Sequence, residues 1–285
     1  MNTVDLHVHS NASDGTFSPA ELVLAAKKAG LSAFALTDHD TVSGIDEAVE
    51  AAKDTGIEVI PGIEISTGFL NREIHIVGLC IDYKSQKFRD AIGDEVQRRN
   101  SRNEKLIKLF NEHGFNVTMD AMHEMFPGSI VTRAHFARYL VKTGVVKDNN
   151  EAFKKYLGDG MPLFVPKERK NPEQAIDMIR AANGVPILAH PLLYHLTEKE
   201  LDSICGLFKE YGLMGIESMY STYSGFDELF VKNLAGKHCL LESGGSDFHG
   251  ANKPDIRLGV GRGNLMISYS YLQAVKDSVS YSPSV

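Results

Sequence analysis

Cysteine is scarce in this 285-residue chain: Cys80, Cys205 and Cys239 are far apart, odd in number and without any C-x-x-C spacing. Such a set builds neither a disulfide framework nor a thiolate zinc knuckle, so a reducing, cytoplasmic setting is expected. No window offers the ~18 uninterrupted apolar residues of a membrane span. The chain reaches Asp5 and His7 without a basic or apolar leader pattern, so no membrane or export route is indicated. Positive charge is also short. With Lys+Arg 30 against Asp+Glu 37 the formal net charge is −7, which argues against the broad basic stripe that tracking duplex DNA requires. A small local anion site remains compatible with that balance. What is present is ordinary globular composition, 43% hydrophobic and 24% charged, enough for a sizeable core.

The first eighty residues alternate short apolar runs with capped amphipathic stretches, the pattern of βα units. "TVDLHVHS" reads as a strand. "SPAELVLAAKKAG" reads as a helix, with Ser18 at the N-cap, Pro19 at the first helical position, Glu21 closing a capping box and Gly30 as the stop. "SAFALTDHD" (strand), a helix from about Ile45 to Thr55, and the strands "GIEVIPGIEIS" and "EIHIVGLCID" follow. The pattern then changes to consecutive helical stretches, "EVQRRNSRNEKLIKLFNEHG" and "TRAHFARYLVKTG" among them. The βα rhythm resumes with strands "GVPILAHP", "MGIESMY" and "HCLLESGGSDFHG", and Thr197 with Glu200 caps a helix between the first two. Residues 1–86 and 163–285 are therefore expected to form one barrel interrupted by an all-helical insertion, 87–162. Seven strand runs separated mostly by helices favour a closed or distorted parallel α/β barrel over an open doubly wound sheet.

Of the 11 histidines, His7, His9, His39, His75, His190 and His249 fall near the C-terminal end of an expected strand or just past it. In a parallel barrel those ends converge on one face, where the active site is built. His7 and His9, two apart on a strand, point to the same side, and Asp247 with His249 repeats that spacing. Acids accompany them: Asp14 in "SDG", Asp38 and Asp40 flanking His39, and Glu64 in "PGIEIS". Neutral imidazole with carboxylate is the donor set of Zn, Mn or Fe in hydrolytic sites. Paired imidazoles on a buried face are otherwise hard to satisfy, so a metal site is the reading of this pattern.

"HVHSNASDG", "TDHD", "PGIEIS", "IHIVG", "AHP" and "SDFHG", in that order, resemble the motifs of the PHP (polymerase and histidinol phosphatase) family over nearly the whole chain. The resemblance implies a distorted (β/α)7 TIM-like barrel and a trinuclear site: His7, His9, Glu64 and Asp247 for one ion; Asp14, His39 and His249 for a second; His75 and His190 for a third, with Glu64 bridging. "SDG" and "TRAHFARYLV" are similar to the branch that hydrolyses phosphate esters of nucleotides, such as 3′,5′-bisphosphonucleotides, or the 5′ end of short RNA. Arg133 and His135 match positions that approach the substrate in that branch. The stretch after His190 and Pro191 lacks the Gly-Arg that several relatives carry, so that phosphate contact is missing.

Three divalent ions against Asp14, Glu64 and Asp247 would leave roughly three net positive charges, a pocket that selects anions. Phosphoester hydrolysis is therefore preferred to amidohydrolase chemistry on a carbon-nitrogen bond, or to a noncatalytic metal-stabilised binding module. Arg133 and Lys167 are expected as phosphate contacts. Asp40, His135 or solvent would protonate the leaving group. The arginines of "QRRNSRNEK" are expected either on a solvated helix face or lining the entrance, where they would favour a nucleotide or short RNA, and "GVGRGN" is expected as a turn, because it lacks the last glycine of a dinucleotide fingerprint.

Overall fold

The structure, a computed structural model, describes residues 2–165 and 170–279, apart from the side chains of 94–96. In chain order the elements are β1 (Thr3–Val8), α1 (Pro19–Ala29), β2 (Ala33–Leu36), α2 (Ile45–Ala52), β3 (Glu58–Phe69), β4 (Arg72–Leu79), α3 (Gln86–Glu112), α4 (Met119–Met125), α5 (Arg133–Lys142), α6 (Asn149–Ala152), α7 (Pro172–Ala181), β5 (Val185–Leu188), α8 (Glu198–Glu210), β6 (Gly215–Tyr220), α9 (Gly225–Lys237), β7 (Leu241–Gly245), β8 (Ile267–Ser268) and α10 (Tyr269–Ser278). The helices start where side chains can satisfy their free amides: Ser18 with Glu21, and Thr197 with Glu200, form the capping boxes read from the sequence. Gly30 ends α1 in the left-handed conformation (φ 75°). No helix among the described residues is long and apolar enough to cross a membrane.

Among the described residues eight strands form one sheet in the order β7-β6-β5-β4-β3-β2-β1-β8. The α/β barrel expected from the sequence is there, with corrections to its wall. β3 and β4 form an antiparallel hairpin in which Phe69 pairs with Arg72, turned by Leu70 and Asn71 at φ 48° and 59°, the conformation that two-residue hairpin loops demand. β4 is also antiparallel to β5, so β4 runs in reverse between its two neighbours. The added strand, β8, is two residues long, too short to show any periodicity. It pairs antiparallel with β1 at Thr3 and Val4. At the opposite end β1 is joined to the chain beyond β7 by the Val8–Phe248 bridge. The His9 amide donates to the Phe248 carbonyl at 3.0 Å, and the Asp247 amide to the His7 carbonyl at 2.9 Å.

Ile60 and Val77 share strand parity with Glu64 and His75. With Ala33, Ala35, Leu79 and Ile187 they fill the barrel beneath the mouth, and Leu272 and Val275 of α10 belong to the same cluster. Consecutive residues of a regular strand face opposite ways, yet Leu6 joins this cluster and His7 the mouth above it. A register shift between Asp5 and Val8 reconciles them. The helical stretch has a core of its own, including Leu106, Phe110, Met122, Phe136 and Leu140. It touches the barrel through the Ile130 amide, which donates to the Ala12 carbonyl at 3.1 Å, and the Ser129 hydroxyl, which donates to the Asn11 carbonyl at 2.6 Å. The glycines of "GVGRGN" make a tight turn in which the Arg257 amide donates to the Gly261 carbonyl at 2.9 Å.

Gly245 lets β7 lie against β1, since a Cβ there would sit 2.2 Å from the His7 Cβ and 2.6 Å from its backbone nitrogen. Gly245→Ala is expected to lower unfolding free energy by about 1–3 kcal/mol or more. Gly236→Ala, on an exposed turn of α9 with nothing within 4 Å, should raise it by about 0.5–1 kcal/mol. Urea midpoints of the two variants check this; a wild-type midpoint for Gly245→Ala would contradict the close approach.

Candidate metal centre

Glu64 is the centre of the mouth. Its carboxylate is 1% exposed and is surrounded by imidazoles: His7 Nε2 and His9 Nε2 at 3.3 Å, His39 Nδ1 at 3.0 Å, His75 Nδ1 at 2.8 Å and His190 Nε2 at 3.0 Å. Asp247 Oδ1 lies 3.4 Å from His9 Nε2 and 3.9 Å from His7 Nε2. Asp14 lies 3.2 Å from His249 Nε2 and 3.9 Å from His39 Nε2. All nine side chains expected as ligands are thus brought together, although 242 positions separate His7 from His249 along the chain.

The routes into the mouth differ from the expected ones. His75 is in the first half of β4, not at a C-terminal strand end; because β4 runs in reverse, that half is the one at the mouth. Asp247 and His249 do not repeat the His7 and His9 strand spacing, since β7 ends at Gly245 and Asp247 turns the chain at φ 55°.

Burial opposes ionisation of Glu64, yet His39, His75 and His7 hold its carboxyl well below the usual range. Asp14 is likewise held low against burial by His39 and His249, and Asp247 by Lys253 and His249. The carboxylates draw positive charge onto some of the rings. Burial would lower His9 and His75, but the acids raise them to about 9 and about 10. Burial dominates at His39, pushed down to about 3.

His7 Nε2, both ring nitrogens of His9, His39 Nδ1 and His190 Nδ1 are buried without a hydrogen-bond partner. Orphaned polar atoms of this kind are rare in a folded interior. His9, Asp14, His39 and His249 form one group whose donor atoms lie within 4.8 Å of one another; His7, His9 and Glu64 form a second; His39, Glu64 and His75 a third. Buried nitrogen lone pairs converging with carboxylate oxygens fit divalent transition-metal ions.

At the cluster opens a cleft of about 190 Å³, whose lining includes Asp14, His39 and His75 together with Arg99, Arg102, Arg133 and Phe153. Of the two readings for these arginines, the structure has the second: Arg99 and Arg102 are 5% and 4% exposed and line the cleft. Arg133 opens α5 with its guanidinium 4.9 Å from the Phe164 ring. Asp40 and His135 have other work. Asp40 accepts from the Ser66 amide at 3.1 Å and pairs with Arg99. His135 Nδ1 accepts from the Thr132 amide at 2.9 Å in the cap of α5, and burial lowers the ring to about 4. Lys167 lies outside the described residues.

Residues 5–219 match the PHP domain. The chain belongs to the PHP-domain family. It is 42% identical over 245 residues to a 5′-3′ exoribonuclease of Haemophilus influenzae, covering 86% of this chain and 89% of that one. To a 3′,5′-nucleoside bisphosphate phosphatase of Chromobacterium violaceum it is 34% identical over 250 residues, 87% and 88% of the two chains. Its fold is similar to that of a candidate metal-dependent phosphoesterase from Bifidobacterium adolescentis (TM-score 0.84, 26% identity, 97% and 96% covered). An amidohydrolase from Chromobacterium violaceum, with sulfate bound and no metal, is similar too (TM-score 0.83, 32% identity, 90% of each chain).

Sequence reasoning passed over the groups that hold the donors of this PHP domain in place. Asp38 accepts from the Ser10 amide at 2.8 Å and from the hydroxyls of Ser10 and Ser13 at 2.6 and 2.5 Å, fixing the loop that carries Asp14. Tyr220 and Lys253 both donate to Asp247 Oδ2 at 2.5 Å. Glu217 sits behind His7 on β6. Only Asp38 had a sequence signal, its place beside His39; Glu217 and Tyr220 come from β6 and Lys253 from the turn that follows His249.

A ligand that binds only the folded state stabilises it by RT ln(1 + [L]/Kd), about 2.7 kcal/mol at a hundredfold excess over Kd. Mn(II) is therefore expected to raise the melting temperature of the metal-stripped protein by several degrees. Glu64→Gln should abolish most of that rise, and an equal rise in both proteins, read by calorimetry, would remove Glu64 from the centre.

Proposed function

We propose that this metal-dependent phosphoric ester hydrolase acts on a nucleotide: a 3′,5′-bisphosphonucleotide such as 3′-phosphoadenosine 5′-phosphate, or the 5′ end of a short RNA. The observation that carries the reading is that three arginines, Arg99, Arg102 and Arg133, line the same cleft as Asp14, His39 and His75 of the histidine and carboxylate cluster. In our reading His7, His9, Glu64 and Asp247 hold one divalent ion, Asp14, His39 and His249 a second, and His75 and His190 a third that shares Glu64. Mn, Fe and Zn all suit such donors. Bound there, the ions supply Lewis-acid chemistry, activating water near neutral pH and offsetting negative charge on phosphate oxygens.

The chain's own residues do the rest. The arginines give the anionic substrate a second, cationic foothold, through charge-assisted bonds that are stronger than neutral ones. Phe153 adds an aromatic face beside them. Leaving-group protonation falls to solvent, because the Asp40 carboxylate is engaged by Arg99 and Ser66 and the neutral His135 ring is tied into a helix cap. The relatives named as an exoribonuclease and a bisphosphate phosphatase support a nucleotide substrate. The similarity to an amidohydrolase favours a second reading, cleavage of a carbon-nitrogen bond, but a cleft walled by guanidinium groups suits an anion better than a neutral amide.

A screen of mono- and bisphosphorylated nucleotides and short oligoribonucleotides with Mn(II) is expected to release inorganic phosphate or mononucleotides. Release of ammonia or amine with no phosphate would overturn the assignment. His9→Ala should abolish turnover while far-ultraviolet circular dichroism stays that of the wild type. Arg133→Ala should raise KM for phosphorylated substrates roughly tenfold or more, the size of a lost hydrogen bond to a charged group, with little change in melting temperature. An unaltered KM would take Arg133 out of the pocket.

A further inference from the structure

Glu217 is a buried carboxylate, 1% exposed, that the proposed ligand set does not use. It faces the mouth from β6, while its neighbour Ser218 bonds Glu242 on β7 instead. One carboxylate oxygen lies 2.8 Å from His7 Nδ1 and the other accepts from the backbone amide of His190 at 2.6 Å.

Each contact has a consequence for metal binding. A carboxylate only accepts, so the bond to His7 places a proton on Nδ1 and leaves the Nε2 lone pair directed at the cluster, 3.3 Å from Glu64. At His190 the backbone has φ 28°, a conformation that residues with side chains seldom adopt and that persists only where the surroundings impose it. The bond from its amide to Glu217 is such an imposition. It sets His190 Nε2 at 3.0 Å from the other oxygen of Glu64.

We infer that Glu217 is a positioning residue for the metal centre: it fixes the His7 tautomer and the His190 backbone together, so that two ion positions, one on each side of Glu64, depend on one carboxylate. The inference rests on the ligand set proposed above. Partners behind metal-bound histidines orient the ring and raise its basicity, and their loss commonly costs 10–100-fold in metal affinity. Glu217→Gln keeps the shape but has a single acceptor oxygen for two donors, so one of the two histidines must lose its partner.

The test uses the full chain and zinc alone. Competition with a chromophoric chelator should show an affinity about 10–100-fold weaker in Glu217→Gln and unchanged in Glu242→Gln, whose side chain lies on the same wall outside the mouth. In the zinc-loaded wild type, nitrogen-15 histidine spectra should show His7 with its proton on Nδ1, strongly shifted by the hydrogen bond, and that signal should move or vanish in Glu217→Gln. Wild-type zinc affinity in Glu217→Gln, or a His7 proton on Nε2 in the wild type, would overturn the inference. The wild-type spectrum decides even if the variant does not fold. A protein that binds zinc with these signatures but releases no phosphate would sink the proposed substrate and leave the role of Glu217 standing.

Discussion

A carboxylate and a set of imidazoles cannot be taken out of water together unless their charges and lone pairs are answered inside, and that requirement organises the mouth of this barrel. Glu64 is at its centre, with five imidazoles within 3.3 Å of its oxygens. Burial of an uncompensated charge costs several kcal/mol, so the surrounding structure is built to hold these groups in register. Asp38 grips Ser10 and Ser13, Tyr220 and Lys253 grip Asp247, and the Tyr194 hydroxyl takes the His75 amide at 2.9 Å. Each of these bonds immobilises a loop or strand that bears a donor, which is how flexible chain ends reach a shared geometry.

The helical stretch acts on the same centre from the other side. It has its own apolar core, and it meets the barrel on the loop that carries Asp14 and at the Asp40–Arg99 pair. Helix α3 therefore has two functions along about three of its turns: Arg99 and Arg102 line the cleft, and Leu106 and Phe110 further along pack the helical core. An acidic protein gains a local cationic wall in this way without a basic surface, which reconciles the net charge of −7 with an anionic substrate.

Much of the barrel could be read in one dimension. Capping residues and glycine stops marked α1 and α8 because their chemistry is local. Short apolar runs marked the strands because most of their residues are buried on both faces. Other features had no local signature. The reversal of β4 depends on which way a hairpin folds back, β8 is two residues long, and the bulge in β1 is visible only against β2. The arginines of α3 looked solvated because a charge run on an isolated helix has no partner; Asp40 supplies one from 59 positions away.

The order of residue types along the chain was enough to determine that this is an α/β barrel of the PHP family and which imidazoles and carboxylates gather at its mouth. Those traits are carried by motifs a few residues long, each with its own donor atoms. Tertiary structure alone decided how the donors are held: that Glu217 stands behind His7 and His190, that His75 enters on a reversed strand, and that arginines from a helical stretch close the cleft. These relations join residues far apart in sequence. They exist only once the fold has brought buried polar groups from distant parts of the chain within reach of one another.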